Sequence, residues 1–362
     1  MKLPLRHLPI AFALCMVGVA CALQPVVAAD YFDQYGLVAG SPSIDVGVQP
    51  LGIPSGMISS VMQRDRLLQS ALVALKQPLK MHAFRRGADM VGLLADHRLD
   101  AGLLGDMPTI LAASAHPVWV AGLVKQTSTA LVAVGDSQIR SLAGKRIGYV
   151  PLSSAHNTLL QGLASAGLVE ADVQLVALRV DDMPDALARG DIDAFAAWEP
   201  APSIALARSE KTRVVFRGLS ADYFVIDRDF EQRSPEAARI VVAGFVRAIE
   251  WMRASQKNVA TAARWVLADA QAFGGKPPVA AVPQIVAITR REILGVPSAP
   301  VVVRVPGSAP PLKVEFEFLK KLGKLPQGGT WEQVADAFRY DGLSRVMSES
   351  RKYQIRVFDY AP

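Results

Sequence analysis

The sequence predicts an α/β fold of two lobes built on mostly parallel sheets, and three observations carry that prediction. The stretch Arg98 to Ala113, RLDAGLLGDMPTILAA, is answered later by Arg189 to Pro202, RGDIDAFAAWEPAP. Each runs from a polar helix end through a short apolar strand into a Pro-bearing turn that opens a helix, a βα unit whose strand edge faces a cleft. Strand and helix patterns alternate over the first two thirds, which selects a parallel sheet covered by helices. From Pro235 onward the pattern turns almost wholly helical. At 362 residues the chain exceeds what one core organises, so two domains are expected.

The elements follow in order. Ser43 to Gln49 reads as a strand, ended by the turn-rich Pro50 to Gly56, and Met57 to Lys76 as one long amphipathic helix. Leu79–Phe84 is strand, Ala88–Arg98 helix, Ala101–Leu104 strand, Met107–Ala115 helix and Pro117–Val124 strand. Thr129–Val134 crosses to the second lobe, where the rhythm restarts. There Arg146–Val150, Val173–Val180 and Asp193–Trp198 are strands, with helices over Ala155–Ala166 and Met183–Arg189. Val214–Phe216 and Tyr223–Ile226 are strands of the return. Helices then cover the run from Pro235 to Ser255, Val259–Ala270 and Val282–Leu294 and buttress the first lobe, with loops at Gly274–Pro278 and Pro297–Pro311. The lobes so defined are 30–127 with 223–362, and 128–222. No short repeat is present beyond them.

Composition supports a folded body, with 51% hydrophobic and 20% charged residues. Lys2, Arg6 and His7 precede an apolar run from Leu8 to Leu23, and small residues end it at Val27-Ala28-Ala29. This is a secretory signal peptide over 1–29, its apolar run short against the roughly 20 residues of a membrane span. Both cysteines, Cys15 and Cys21, lie in it, so the processed chain has no thiol, disulfide or Cys-metal site. Cys21 as a lipidated first residue is the alternative, with Gly18 where such signals want a branched residue. The formal net charge of +6 falls to +4 on cleavage, a mild excess that suits an anionic small molecule and lacks the stripe nucleic acid requires.

The segments LGDMPTILAASA, SLAGKRIGYV, SSAHNTLLQGLASAGL, ALARGDIDAFAAWEP and YFVIDRDF, in that order and spacing, resemble periplasmic solute-binding proteins of the sulfonate, nitrate and taurine uptake class. The likeness runs from Ser43 to about Asp269 and fades after Ala270. It implies a type II periplasmic binding protein fold, two crossing strands as hinge, and delivery of ligand to an ABC permease and its ATPase subunit by a monomeric, periplasmic protein without cofactor. One departure stands out: the family places a glycine between the first long helix and the second strand, and Arg64 to Lys80 has none.

The resemblance implies that the turn Gly105-Asp106-Met107-Pro108-Thr109 and the stretch Ser153, Ser154 and His156 face the cleft. Ser153 and Ser154 open a helix, where free N–H groups and the positive dipole end favour an anion by roughly 0.3 to 1 kcal/mol. A plain N-cap accounts for the same serines, and a structural role for the same histidine. Thr109 is a candidate donor, and Asp106 either holds the loop or touches ligand. Gln49 and Gly52 belong to the matching turn after the first strand, where glycine allows close backbone approach. Trp198 can wall off the ligand's carbon part or sit in the core. Glu199 beside an anion is repulsive unless paired, so it closes the lobes by bonding the hinge or an opposing Arg. Ser128, Thr129 and Tyr223 on the crossing strands could add donors. Arg85 and Arg86 either supply charge or are solvated.

No H-E-x-x-H, G-x-S-x-G, Walker or G-x-G-x-x-G element is present. His82 and His116 stand isolated on apolar segments. The chain is therefore expected to be a binding protein for a small organic sulfonate or related oxyanion, with no catalytic and no metal site. A ligand sensor or adaptor for a membrane receptor, and an enzyme of the same fold acting on a pyrimidine or sulfur compound, remain the alternatives.

Overall fold

The computed structural model describes residues 30–135, 138–303 and 307–361. The expected signal peptide and Cys21 lie outside them. The chain divides into a unit over 1–34 and a unit over 35–362, and the second carries the architecture. No helix among the described residues is long and apolar enough to cross a membrane.

The elements are β1 (Ile44–Val48), α1 (Ser55–Gln63), α2 (Arg66–Ala74), β2 (Leu79–Ala83), α3 (Ala88–Ala95), β3 (Ala101–Gly105), α4 (Asp106–Ala115), β4 (Val118–Val134), β5 (Arg146–Tyr149) and α5 (Ser154–Ser165). Next come β6 (Gln174–Ala177), α6 (Met183–Arg189), β7 (Ala194–Ala197), α7 (Ala201–Arg208) and β8 (Thr212–Asp227). Helices complete the chain: α8 (Arg228–Arg233), α9 (Pro235–Ala254), α10 (Gln256–Gly274), α11 (Val282–Thr289), α12 (Lys313–Lys321), α13 (Trp331–Ala337) and α14 (Gly342–Ser348).

The strands lie in the order β2-β1-β3-β8-β4-β7-β5-β6. A parallel trio, β2-β1-β3, forms one end and a second parallel trio, β7-β5-β6, the other. Between them β8 and β4 run antiparallel along their whole lengths, from Val118 opposite Asp227 to Val134 opposite Thr212. Each trio has its own core. Met57, Ile58, Leu68, Phe224, Phe245 and Ile249 centre the first, and Leu131, Ile147, Leu159, Phe195 and Ala196 the second. This is the type II binding-protein architecture of two α/β lobes joined by two crossing strands, with the helical last third packed on the first core.

Three expectations are corrected. The single helix expected over 57–76 is two, because Asp65 leaves the helical path (φ −76°, ψ 102°) to cap α2, accepting the Leu68 amide at 3.0 Å. Its other oxygen accepts Arg247 Nε at 2.6 Å in a pair buried on both sides. A buried carboxylate with a cap to make and a guanidinium to meet outweighs continued helix. The pairs 117–124 with 129–134, and 214–216 with 223–226, are each one strand, since the polar residues between them face the partner strand within a continuous ladder.

Beyond α11 the chain returns across both lobes. Asn157 Nδ2 donates to Glu315 at 2.6 Å and Lys324 pairs with Glu170 at 2.6 Å, both on the second lobe. Arg228 then pairs with Asp336 at 2.6 Å and Tyr223 meets Phe338 edge-on, on the first.

Candidate functional site

The strand ends of the two parallel trios face each other across a cleft of about 440 Å³, mouth included. Its wall from the first lobe is Gln49, Gly52 and Ser55 in the turn after β1, with Gly87, Gly105 and Pro108. Its wall from the second is Ser153, Ser154 and Trp198. Lys125, Thr129, Ser220 and Asp222 reach it from β4 and β8. The first turns of α1 and α5 both open at this cleft, bringing the positive ends of two helix dipoles to it.

A register shift falls between Leu123 and Lys125, in a stretch of β4 that is buried without a break from Val120 to Lys125. The Lys125 ammonium, 3% exposed, stands 3.7 Å from Asp222 Oδ1, beyond hydrogen-bond distance. Asp222 also accepts the Ser55 hydroxyl, which ties β8 to the start of α1. Behind them, Glu292 is buried on the π-type turn following α11, and burial pushes its carboxyl above the usual range against the attraction of Lys125.

Two buried donors in the cleft have no partner among the described residues: the Trp198 indole N–H and the Ser220 hydroxyl. An unpaired buried polar group costs about 1 to 3 kcal/mol, and such groups persist where a ligand or water completes them. The other hydroxyls are engaged. Ser153 Oγ caps α5 at the His156 amide, 3.2 Å, and donates to Val150 O at 2.7 Å. Thr129 bonds Thr158.

Seven of the expected site residues, Gln49, Gly52, Gly105, Thr129, Ser153, Ser154 and Trp198, line this cleft. Gln49 Nε2 donates to Leu103 O at 2.9 Å, and a Cβ at Gly52 would stand 3.7 Å from Trp198 Nε1, so the lobes approach closely there. A Cβ at Gly105 would collide with Ser154 Oγ.

The other six lie elsewhere. Asp106 is buried at the start of α4, its carboxylate accepting the Met107 and Ala221 amides at 2.7 and 3.3 Å, and burial raises its pKa to about 6. Thr109 Oγ1 turns back to Gly105 O at 2.7 Å. Ser128 faces Arg217 on the outer side of the crossing strands. His156 accepts the Leu152 amide at Nδ1 and donates from Nε2 to Glu170 at 3.0 Å, and burial lowers its pKa. Tyr223 is buried against Phe338, with its hydroxyl pKa pushed up. Glu199 meets Arg291 at 3.6 Å across the lobes, the opposing arginine the sequence anticipated.

The lobes are further latched at the mouth. Lys276, after α10, bonds Asp182 at 2.5 Å, and Arg179 donates to Gly274 O at 3.3 Å. Sequence reasoning missed Lys125, Ser220 and Asp222 because it left 125–128 and 217–222 outside its strands, and it passed over Ser55 inside the turn Pro50 to Gly56 in favour of Gln49 and Gly52. The lone cation in VWVAGLVKQTSTALVAV was the available signal.

A model of the NMT1-like family matches residues 109–267. The chain is 26% identical over 219 residues to the putative aliphatic sulfonates-binding protein of Escherichia coli K12, covering 58% of this chain and 68% of that one. It is 32% identical over 166 residues to the taurine-binding periplasmic protein of the same organism, covering 43% of this chain and 52% of that one. Among solved structures, the periplasmic aliphatic sulphonate binding protein of E. coli superposes with a TM-score of 0.60 at 20% identity, over 84% of this chain and all of that one. The resemblance read from the sequence is thus borne out, and with it the fold. The two curated relatives are binding proteins rather than enzymes.

Proposed function

With the likeness to sulfonate- and taurine-binding proteins as premise, we propose that this chain is the periplasmic substrate-binding component of an ABC uptake system. It captures a small organic sulfonate or related oxyanion between lobes 30–127 with 223–362 and 128–222, and presents it to the permease. The observation that carries this reading is the convergence of a buried ammonium, Lys125, with two buried unpartnered donors, Trp198 Nε1 and Ser220 Oγ, on one cleft. Three donors of this kind complement a tetrahedral oxyanion, and the helix starts at Ser55 and Ser154 add favourable dipole ends. Closure is then a population shift, because the ligand bonds groups from both lobes and the crossing strands at once.

Asp222 sharpens the ligand class. A carboxylate beside Lys125 leaves that pair neutral, which disfavours a bare anion such as nitrate and favours a ligand that brings its own cation. An aminosulfonate of the taurine type places its ammonium against Asp222 and its sulfonate against Lys125, Trp198 and Ser220.

The experiment is a thermal-shift screen followed by calorimetry with taurine, ethanesulfonate, nitrate and bicarbonate. A ligand at a hundred times its Kd stabilises by about 2.7 kcal/mol. Taurine is expected to bind tighter than ethanesulfonate in the native protein, and Asp222→Asn to abolish that preference. Stabilisation by no sulfonate at all refutes the oxyanion reading.

A further inference from the structure

We infer that His97, His116 and Asp227 form a second binding site, for a divalent transition-metal ion of the zinc class, at the end of the first lobe remote from the cleft. The three come from three elements: His97 from the turn after α3, His116 from the end of α4, and Asp227 from the junction of β8 and α8. His97 Nδ1 lies 2.9 Å from Asp227 Oδ2 and His116 Nε2 lies 2.8 Å from Asp227 Oδ1, so both imidazoles address one carboxylate. One donor atom from each residue lies within 4.8 Å of the others. Zinc bonds of about 2.0 to 2.2 Å place tetrahedral ligand atoms roughly 3.3 Å apart, so side-chain rotations of about an ångström close the set. The rings stand edge to face with centroids 4.8 Å apart, and can converge without stacking on each other.

The surroundings fit an ion that enters from water onto a fixed floor. The side chain of Asp227 is 1% exposed and held by the Asp229 amide at 3.2 Å, whereas that of His97 is 40% exposed. Two imidazoles and one carboxylate leave a fourth position for water or for Asp229, whose Oδ2 is 4.0 Å from His97 Nδ1. This donor set suits zinc, cobalt, nickel and copper, and is short of the oxygen ligands calcium or magnesium need. The nearby cation, Arg233, is drawn off by Asp229 at 2.7 Å and by Asp100 at 3.6 Å.

The test is equilibrium dialysis of untagged, chelator-stripped protein against zinc, cobalt and magnesium, with bound metal counted by elemental analysis. One equivalent of zinc or cobalt per chain is expected, with the visible absorption of four-coordinate cobalt, and no magnesium. His97→Asn retains a residue tolerant of the left-handed backbone at that position (φ 55°) and is expected to lose the bound equivalent while melting normally without metal. His116→Gln is expected to behave alike. No stoichiometric uptake by the native protein, or equal uptake by His97→Asn, overturns the assignment.

Discussion

Ser220→Ala separates what the cleft does for a ligand from what it does for the fold. In the free protein Ser220 is 3% exposed and its hydroxyl has no partner among the described residues. Deleting it removes a desolvated group whose cost is about 1 to 3 kcal/mol and leaves almost no cavity, so the free protein is expected to gain about 1 kcal/mol, or roughly 2 °C in Tm. A sulfonate loses a hydrogen bond to a charged acceptor, worth about 1.5 to 3 kcal/mol, so Kd is expected to rise about ten- to a hundredfold. Calorimetry with taurine and a thermal melt of the free protein read the two effects. Their opposite signs are the point. An affinity within twofold of native, or a loss of affinity that tracks a loss of stability, refutes the reasoning.

Trp198→Phe keeps an aromatic wall and deletes one N–H, and is expected to weaken sulfonate binding about tenfold or more in the same titration. Arg247→Met strands the Asp65 carboxylate in the first core, and chemical denaturation is expected to show a loss of about 3 to 5 kcal/mol, largely recovered when Asp65→Asn is added. Burial raises Asp106 from an ordinary aspartate to a pKa of about 6, so the folded state holds its proton more tightly than the unfolded chain, and its contribution to stability is full below about pH 4 and lost as pH rises through 6. Denaturation at pH 4 and pH 7 is therefore expected to show Asp106→Asn gaining on the native protein by up to about 3 kcal/mol toward the higher pH. Lys276→Ala breaks a latch whose partners are about 40% exposed, so the expected loss of ligand affinity is under about fivefold.

The lobe pattern was legible because each βα unit carries its own signals. Apolar strands such as AGLLG and AFAA, and the prolines at 108 and 200 after them, report local structure that tertiary packing does not alter. The turn residues of the cleft, Gln49, Gly52, Gly105, Ser153 and Trp198, were legible for the same reason, since a strand end in such a unit points at the opposite lobe. The crossing strands were not. In β4 and β8 polar residues occur where the ribbon faces solvent or the cleft, so periodicity breaks off at Lys125 and around Ser220 although the ladder continues. The register shift beside Lys125 shows only in pairing with another strand. Thr109 and His156 had the right neighbours in sequence, but each found a nearer bond within its own lobe, and Asp106 turned its carboxylate to the Met107 and Ala221 amides.

The charged groups of the cleft ride on the hinge rather than on the walls. Lys125, Ser220 and Asp222 all belong to the antiparallel ribbon that joins the lobes, and a register shift lies beside Lys125. A bound ligand therefore splints the joint itself as well as gripping both jaws. Loading then stiffens the axle of the motion, and the slowest amide exchange gained on binding falls in 118–134 and 212–227, ahead of the surfaces that meet across the mouth.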